Sequence, residues 1–157
     1  MADAQYTNLI NTEESTPYFG QMMLRDVMIP QLLGQNTSGI MYFAGRDLAV
    51  KLPVGDERIP ELFAALGLGT LQIGKIKTKL RNYTLSGTPV TTRIKNFKDA
   101  DFQFEAGLLA QLIQQVLGMT TEAASKVDRH AGTVDFIVSI DPSEEQTIIS
   151  ATRRDRG

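Results

Sequence analysis

The sequence predicts an α+β domain in which an antiparallel sheet of about four strands packs on a layer of helices. Three observations carry this. Apolar residues recur at helical spacing from Phe19 to Leu66. Between Thr70 and Ile94 the β-branched and aromatic content rises, and Leu71, Ile73, Tyr83 and Leu85 alternate with polar neighbours. Further on, Val134, Phe136, Val138 and Ile140 alternate with Asp135 and Ser139, the pattern of a sheet with one covered face. Strands that follow one another through short turns, segregated from helices, argue against repeated βαβ units.

Taken in order, residues 1–15 are polar and read as a loosely held arm. Thr16 and Pro17 open the first helix as N-cap and first helical position, and Phe19, Met22, Met23, Val27, Leu32 and Leu33 continue it to Gly34. Pro30 is expected to kink or thin its last turn. Ser38 caps a second helix on which Ile40, Ala44, Leu48 and Leu52 fall every four residues, widened by Tyr42 and Phe43. A short helix follows over Pro60 to Leu66. The stretch from Thr70 to Ile94 reads as two or three strands, with a turn at Ser86-Gly87-Thr88-Pro89. Asp99 or Asp101 caps the longest helix, whose Phe102, Ala106, Leu109, Leu112, Ile113 and Val116 form a broad inward stripe up to Gly118. A hairpin follows, from Thr121 to Asp128 and from Thr133 to Ile140, ended by Asp141-Pro142. The expected organisation is one domain over 16–142 and a polar tail over 143–157.

Composition narrows the function classes. At 157 residues, with 42% hydrophobic and 22% charged residues, the chain has the profile of a globular domain that folds without help. A formal net charge of -2 gives no long-range field to collect nucleic acid or anionic lipid. The absence of cysteine excludes disulfides, thiolate zinc sites, iron–sulfur clusters and a cysteine nucleophile. Residues 1–6 lack the features of a secretory signal, and no run approaches the ~18 apolar residues that span a bilayer. The expected location is the cytoplasm.

No residue set carries a catalytic or metal-binding signature, so the expectation is a non-enzymatic protein without cofactor or metal. His130 is the lone histidine and falls in the hairpin turn, where a surface role suffices. Glu105 sits in the first turns of the longest helix, where the positive dipole end favours a carboxylate; general acid or base work there needs a partner, with Arg46 or Asp47 as the candidates. Gly67-Leu68-Gly69 and Gly74 lack the strand-to-helix context of a phosphate loop. Lys75, Lys77, Lys79, Arg81, Arg93 and Lys95 read as a solvated face, because Tyr83 is the single aromatic platform among them. The first helix is rich in methionine: Met22, Met23 and Met28, with Phe19 and Val27, make it apolar around more than half its circumference, which suits burial on two sides, one of them a subunit contact.

Several segments, in order, resemble the YslB-like family, a domain of unknown function in Gram-positive bacteria. They are Pro17-Tyr18-Phe19-Gly20 with Leu24-Arg25-Asp26, then Tyr42-Phe43-Ala44-Gly45-Arg46-Asp47-Leu48-Ala49, Gly67-Leu68-Gly69-Thr70-Leu71, and Phe104-Glu105-Ala106-Gly107-Leu108-Leu109-Ala110. The resemblance covers roughly residues 17 to 140. It implies the α+β fold shared by TRAPP transport-complex subunits, 4-vinyl-reductase-type domains and nitric-oxide-sensing haem domains, a group in which some members enclose an apolar pocket and TRAPP-type subunits pair through their N-terminal helices. Phe43 and Leu68 stand where relatives often carry tryptophan, and the placement of His130 argues against haem.

The resulting expectation is a cytoplasmic binding or assembly module that forms a homodimer through its N-terminal helices, with Phe19, Met22, Met23 and Val27 at the contact. The alternative is a sensor for a small hydrophobic ligand held between helices and sheet by Phe43, Phe63, Phe104 and Leu108.

Overall fold

The computed structural model describes residues 16–149. The expected arm over 1–15 and the arginine-rich end of the expected tail lie outside the described residues. The chain begins with one continuous helical run: α1 (Thr16–Met22), a π-helical stretch (Met23–Met28) and α2 (Ile29–Leu33). Pro30 has no N–H to offer and its ring crowds the preceding turn. Just upstream the run takes a wider turn, where the Ile29 N–H reaches back to the Leu24 carbonyl. A tight turn over Gly34–Asn36, with Gly34 at φ 61°, leads into α3 (Thr37–Lys51). Ser38 does not cap α3 as expected; its hydroxyl reaches across to Asp101.

A short turn (Asp56–Arg58) and α4 (Ile59–Ala65) precede β1 (Thr70–Ile76) and β2 (Leu80–Ser86). The chain then forms a helix the sequence reading did not contain, α5 (Thr88–Asn96). Its β-branched residues suggested a strand, yet Gly87 at φ 107° stops β2 and Pro89 sits in the first helical turn, where its missing donor costs nothing. Val90, Arg93 and Ile94 fall on its buried face. The longest inward stripe becomes α6 (Gln103–Leu117), closed by Gly118 at φ 68°. β3 (Met119–Asp128) and β4 (Thr133–Glu145) complete the chain, and β4 runs past Asp141-Pro142, pairing Glu145 with Met119, where the sequence had suggested a stop.

The four strands form one antiparallel sheet in the order β1-β2-β4-β3. Alternation sends Tyr83, Leu85, Val134, Phe136 and Val138 inward, where they meet Leu108, Leu109, Leu112 and Ile113 of α6 and Ile59 and Phe63 of α4. α3 crosses α6 at two glycines, Gly45 and Gly107, so the two backbones touch. A second, smaller cluster lies apart from this core: Met22 packs on Phe97, joined by Tyr18, Phe19, Met23 and Val27. The N-terminal run is therefore seated on its own apolar patch rather than on the main core. No helix among the described residues is long and apolar enough to cross a membrane.

Candidate functional site

The π-helical stretch places Arg25 and Asp26 side by side against the body of the protein, and each finds the opposite charge on a different helix. Arg25 donates both terminal guanidinium nitrogens to the Glu105 carboxylate of α6. Arg93 of α5 donates Nε and Nη2 to Asp26, both at 2.8 Å. Its Nη2 also reaches the Asp101 carbonyl at 2.7 Å, which Arg25 approaches at 3.4 Å. The guanidinium of Arg25 lies over the Phe104 ring at 5.3 Å and that of Arg93 over Phe102 at 4.4 Å. Such planar, paired contacts are what arginine offers and lysine does not.

Glu105 is 1% exposed. Burial pushes its carboxyl upward, but the adjacent Arg25 and then Arg93 outweigh that, so it is held below the usual carboxylate range and stays ionised. Arg93 Nη1 is buried without a hydrogen-bond acceptor among the described residues and faces Glu105 Oε1 at 3.8 Å. The set acts as a two-way clasp that seats the N-terminal run on α5 and α6.

Beside the clasp lies a cavity of about 610 Å³ between the run, the start of α3 and the loop 97–101. Its walls are part apolar, from Val27, Pro30, Met41 and Phe97, and part charged, with the cations Arg25, Arg93 and Lys98 set against the carboxylates Asp26, Asp99 and Asp101. A shallower trough of about 450 Å³ adjoins it across Asp99, Ala100 and Asp101 and runs to Ser125 and Val127 of β3.

A second polar network ties α3 to the free edge of the sheet. Arg46 donates to the Thr121 carbonyl at 2.9 Å and to Gln114 Oε1 at 2.8 Å, and the same Gln114 oxygen accepts from the Thr121 N–H at 3.1 Å. Tyr42 donates to Glu122, and its oxygen accepts from the Ala123 N–H at 3.2 Å. Burial, followed by Glu122, raises the Tyr42 hydroxyl above its ordinary value. On β2 the buried Arg81 pairs with Asp56.

The residues singled out in the sequence occupy different surroundings. Phe63 and Leu108 are fully buried in the main core, Phe104 is half-buried beneath Arg25, and Phe43 is 65% exposed. None of the four lines the cavity or the trough just described. Met22 is 3% exposed and, with Phe19, Met23 and Val27, faces Phe97. The open side of the same run carries Leu24, Met28 and Leu32, the last 78% exposed. His130 is exposed in the β3–β4 turn. Glu105 and Arg46 engage different partners, and Asp47 is exposed on α3. No group of three or more metal-ligating side chains occurs among the described residues. Sequence reasoning missed the clasp, since its members lie 67 to 80 residues apart and Arg93 sat in a presumed strand.

The architecture, helices on one face of a four-stranded antiparallel sheet, is that of a vinyl-4-reductase family protein from Methanocaldococcus jannaschii. The two superpose with a TM-score of 0.56 at 21% identity, over 90% of this chain and 99% of the other. A trafficking protein particle complex subunit 3 from Naegleria fowleri, solved covalently bound to palmitic acid, is more distant, with a TM-score of 0.43, 12% identity and coverage of 78% and 88%. The chain belongs to the family described as protein of unknown function DUF2507, whose model matches residues 18–139. Within reach of that family it is 32% identical over 140 residues to the uncharacterized protein YslB of Bacillus subtilis (strain 168), covering 88% of this chain and 93% of that one.

Proposed function

We propose that this protein is a non-enzymatic cytoplasmic assembly module that pairs with a second copy through the outer side of its N-terminal helices. One observation carries the reading: large apolar side chains stand in solvent along both helical segments. Leu24, Met28 and Leu32 recur every four residues on the first run, and Ile40, Phe43 and Val50 share one side of α3 with Asp47 between them. Exposed apolar stripes of this kind mark interaction surfaces, whereas singly scattered apolar residues do not.

A two-fold contact requires a self-complementary patch. Antiparallel alignment of two α3 stripes puts Ile40 opposite Val50 and sets no like charges against each other. The clasp contributes by fixing the rotation of the run, so that Leu24, Met28 and Leu32 point outward.

Sedimentation velocity at micromolar concentration tests the pairing. The expected result is a dimer that Leu32→Glu combined with Phe43→Glu converts to a folded monomer with an unchanged circular-dichroism spectrum. A wild-type monomer at every concentration defeats the reading.

A further inference from the structure

We propose that the N-terminal arm docks on its own chain: Tyr6 to Ile10 fill the groove beside the clasp and add a short strand to the uncapped half of β3. This contact does not depend on the pairing proposed above.

The β3 edge is capped along one half and open along the other. Thr121 and Ala123 turn main-chain groups away from β4, where Gln114, Arg46 and Tyr42 meet them. By the two-residue alternation of a strand, Ser125 and Val127 turn their N–H and C=O groups the same way. On that side these groups have no hydrogen-bond partner among the described residues. Unpaired main-chain groups at a sheet edge are a template for one more strand.

Ser125 and Val127 also line the trough of about 450 Å³ beside this stretch. The trough and the cavity of about 610 Å³ share Ser38, Asp99, Ala100 and Asp101, so together they form one groove from Val27 on the N-terminal run to Val127 on β3. A groove that ends along a strand edge fits an extended segment.

Residues 1–15 contain such a segment within an otherwise polar arm. Gln5 to Thr12 holds no charge, no proline and no glycine, and Tyr6, Thr7 and Ile10 favour strand. An uncharged occupant suits walls whose three cations and three carboxylates balance. Tyr6, Leu9 and Ile10 supply apolar surface for Val27, Met41 and Phe97. The arm is also long enough. About 14 Å of helix separates Thr16 from Arg25, whose guanidinium lies 3.4 Å from the Asp101 carbonyl on the shared wall. Six extended residues carry Ile10 about 20 Å back from Thr16, and four more carry Tyr6 about 13 Å further along the groove.

Amide hydrogen exchange of the full chain tests the added strand. Ser125 and Val127 should exchange at least about tenfold slower than in the variant that combines Tyr6→Asp, Leu9→Asp and Ile10→Asp. Ala123, held by Tyr42, and Lys126, paired with Asp135 of β4, should exchange alike in both proteins. The three changes leave residues 16–149 untouched, so folding of the body is not at stake. Equal exchange at Ser125 and Val127 in the two proteins overturns the docking. Because the chain has no cysteine, Ala4→Cys gives a single attachment point for a nitroxide spin label. Isotope-labelled chain carrying the nitroxide, diluted in plain chain, should lose amide signal at Ser125 and Val127 and keep it at Ile76 on the opposite edge of the sheet. Loss only when label and isotope sit on different chains assigns the groove to the arm of a second copy and overturns the intrachain contact. Loss at neither residue overturns the docking altogether.

Discussion

Gly107 faces the backbone of Tyr42 so closely that a Cβ built on it would stand 1.8 Å from the Tyr42 carbonyl oxygen. The reverse contact is as tight, since a Cβ on Gly45 would stand 2.1 Å from the Phe104 carbonyl oxygen. Both obstacles are main chain and cannot rotate away. Gly107→Ala is expected to cost at least about 3 kcal/mol, the upper end of overpacking penalties, because relief requires the helices to separate. Urea unfolding midpoints measure this; a loss below about 1 kcal/mol would show that α3 and α6 can move apart freely.

The Glu105 carboxylate faces two guanidiniums in a buried site, so removing its charge should cost about 3–5 kcal/mol in Glu105→Gln. The same arrangement sets a pH dependence. Its folded value lies below the unfolded one of about 4.3, so the unfolded chain takes up the proton first as the solution is acidified. The stabilisation is thus present above about 4.3 and is lost as pH falls through the lower folded value. Thermal melts from about pH 5 to about pH 3 should fall more steeply for the wild type than for Glu105→Gln; parallel curves would contradict it.

Arg25 and Glu105 should be strongly coupled. Replacing both, as Arg25→Met with Glu105→Leu, is expected to cost less than the sum of the single changes by more than about 1 kcal/mol, since each single change strands a buried charge. A double-mutant cycle by chemical denaturation reads the difference directly.

Tyr42→Phe removes the acceptor for the Ala123 N–H and the donor to Glu122 while keeping the ring. The expected loss is about 1 kcal/mol, with faster amide hydrogen exchange at Ala123 and little change at the centre of β4. Unaltered exchange at Ala123 would mean that water replaces the phenol without consequence.

Much of the architecture could be read from the residues alone. The alternation of Val134, Phe136 and Val138 and the long stripe of α6 fix a one-sided sheet against a central helix, because both patterns are set by burial of large side chains. α3 misled for the opposite reason. Its apolar spacing pointed to Ile40 and Leu52 as inward, yet both are exposed, and the contact with α6 is made by Gly45 and Ala49, whose smallness permits close approach. α5 was hidden because Val90, Thr91, Thr92 and Ile94 are strand formers locally, and tertiary packing decided otherwise. The clasp was out of reach: Arg25 and Asp26 stood out only through family likeness, and nothing local pairs them with Glu105 and Arg93.

The two rims of the sheet are each interrupted, in different ways. Along β3 the main-chain groups of Thr121 and Ala123 that point away from β4 are occupied by Arg46, Gln114 and Tyr42. Along β1 the ladder slips between Ile73 and Ile76, and Lys75 on the strand, with Lys77 and Lys79 in the turn that follows, puts positive charge at its end. Both devices shorten the row of free amides that a passing unfolded chain could extend, which should slow amyloid-like fibre growth even though the strands are rich in β-branched residues.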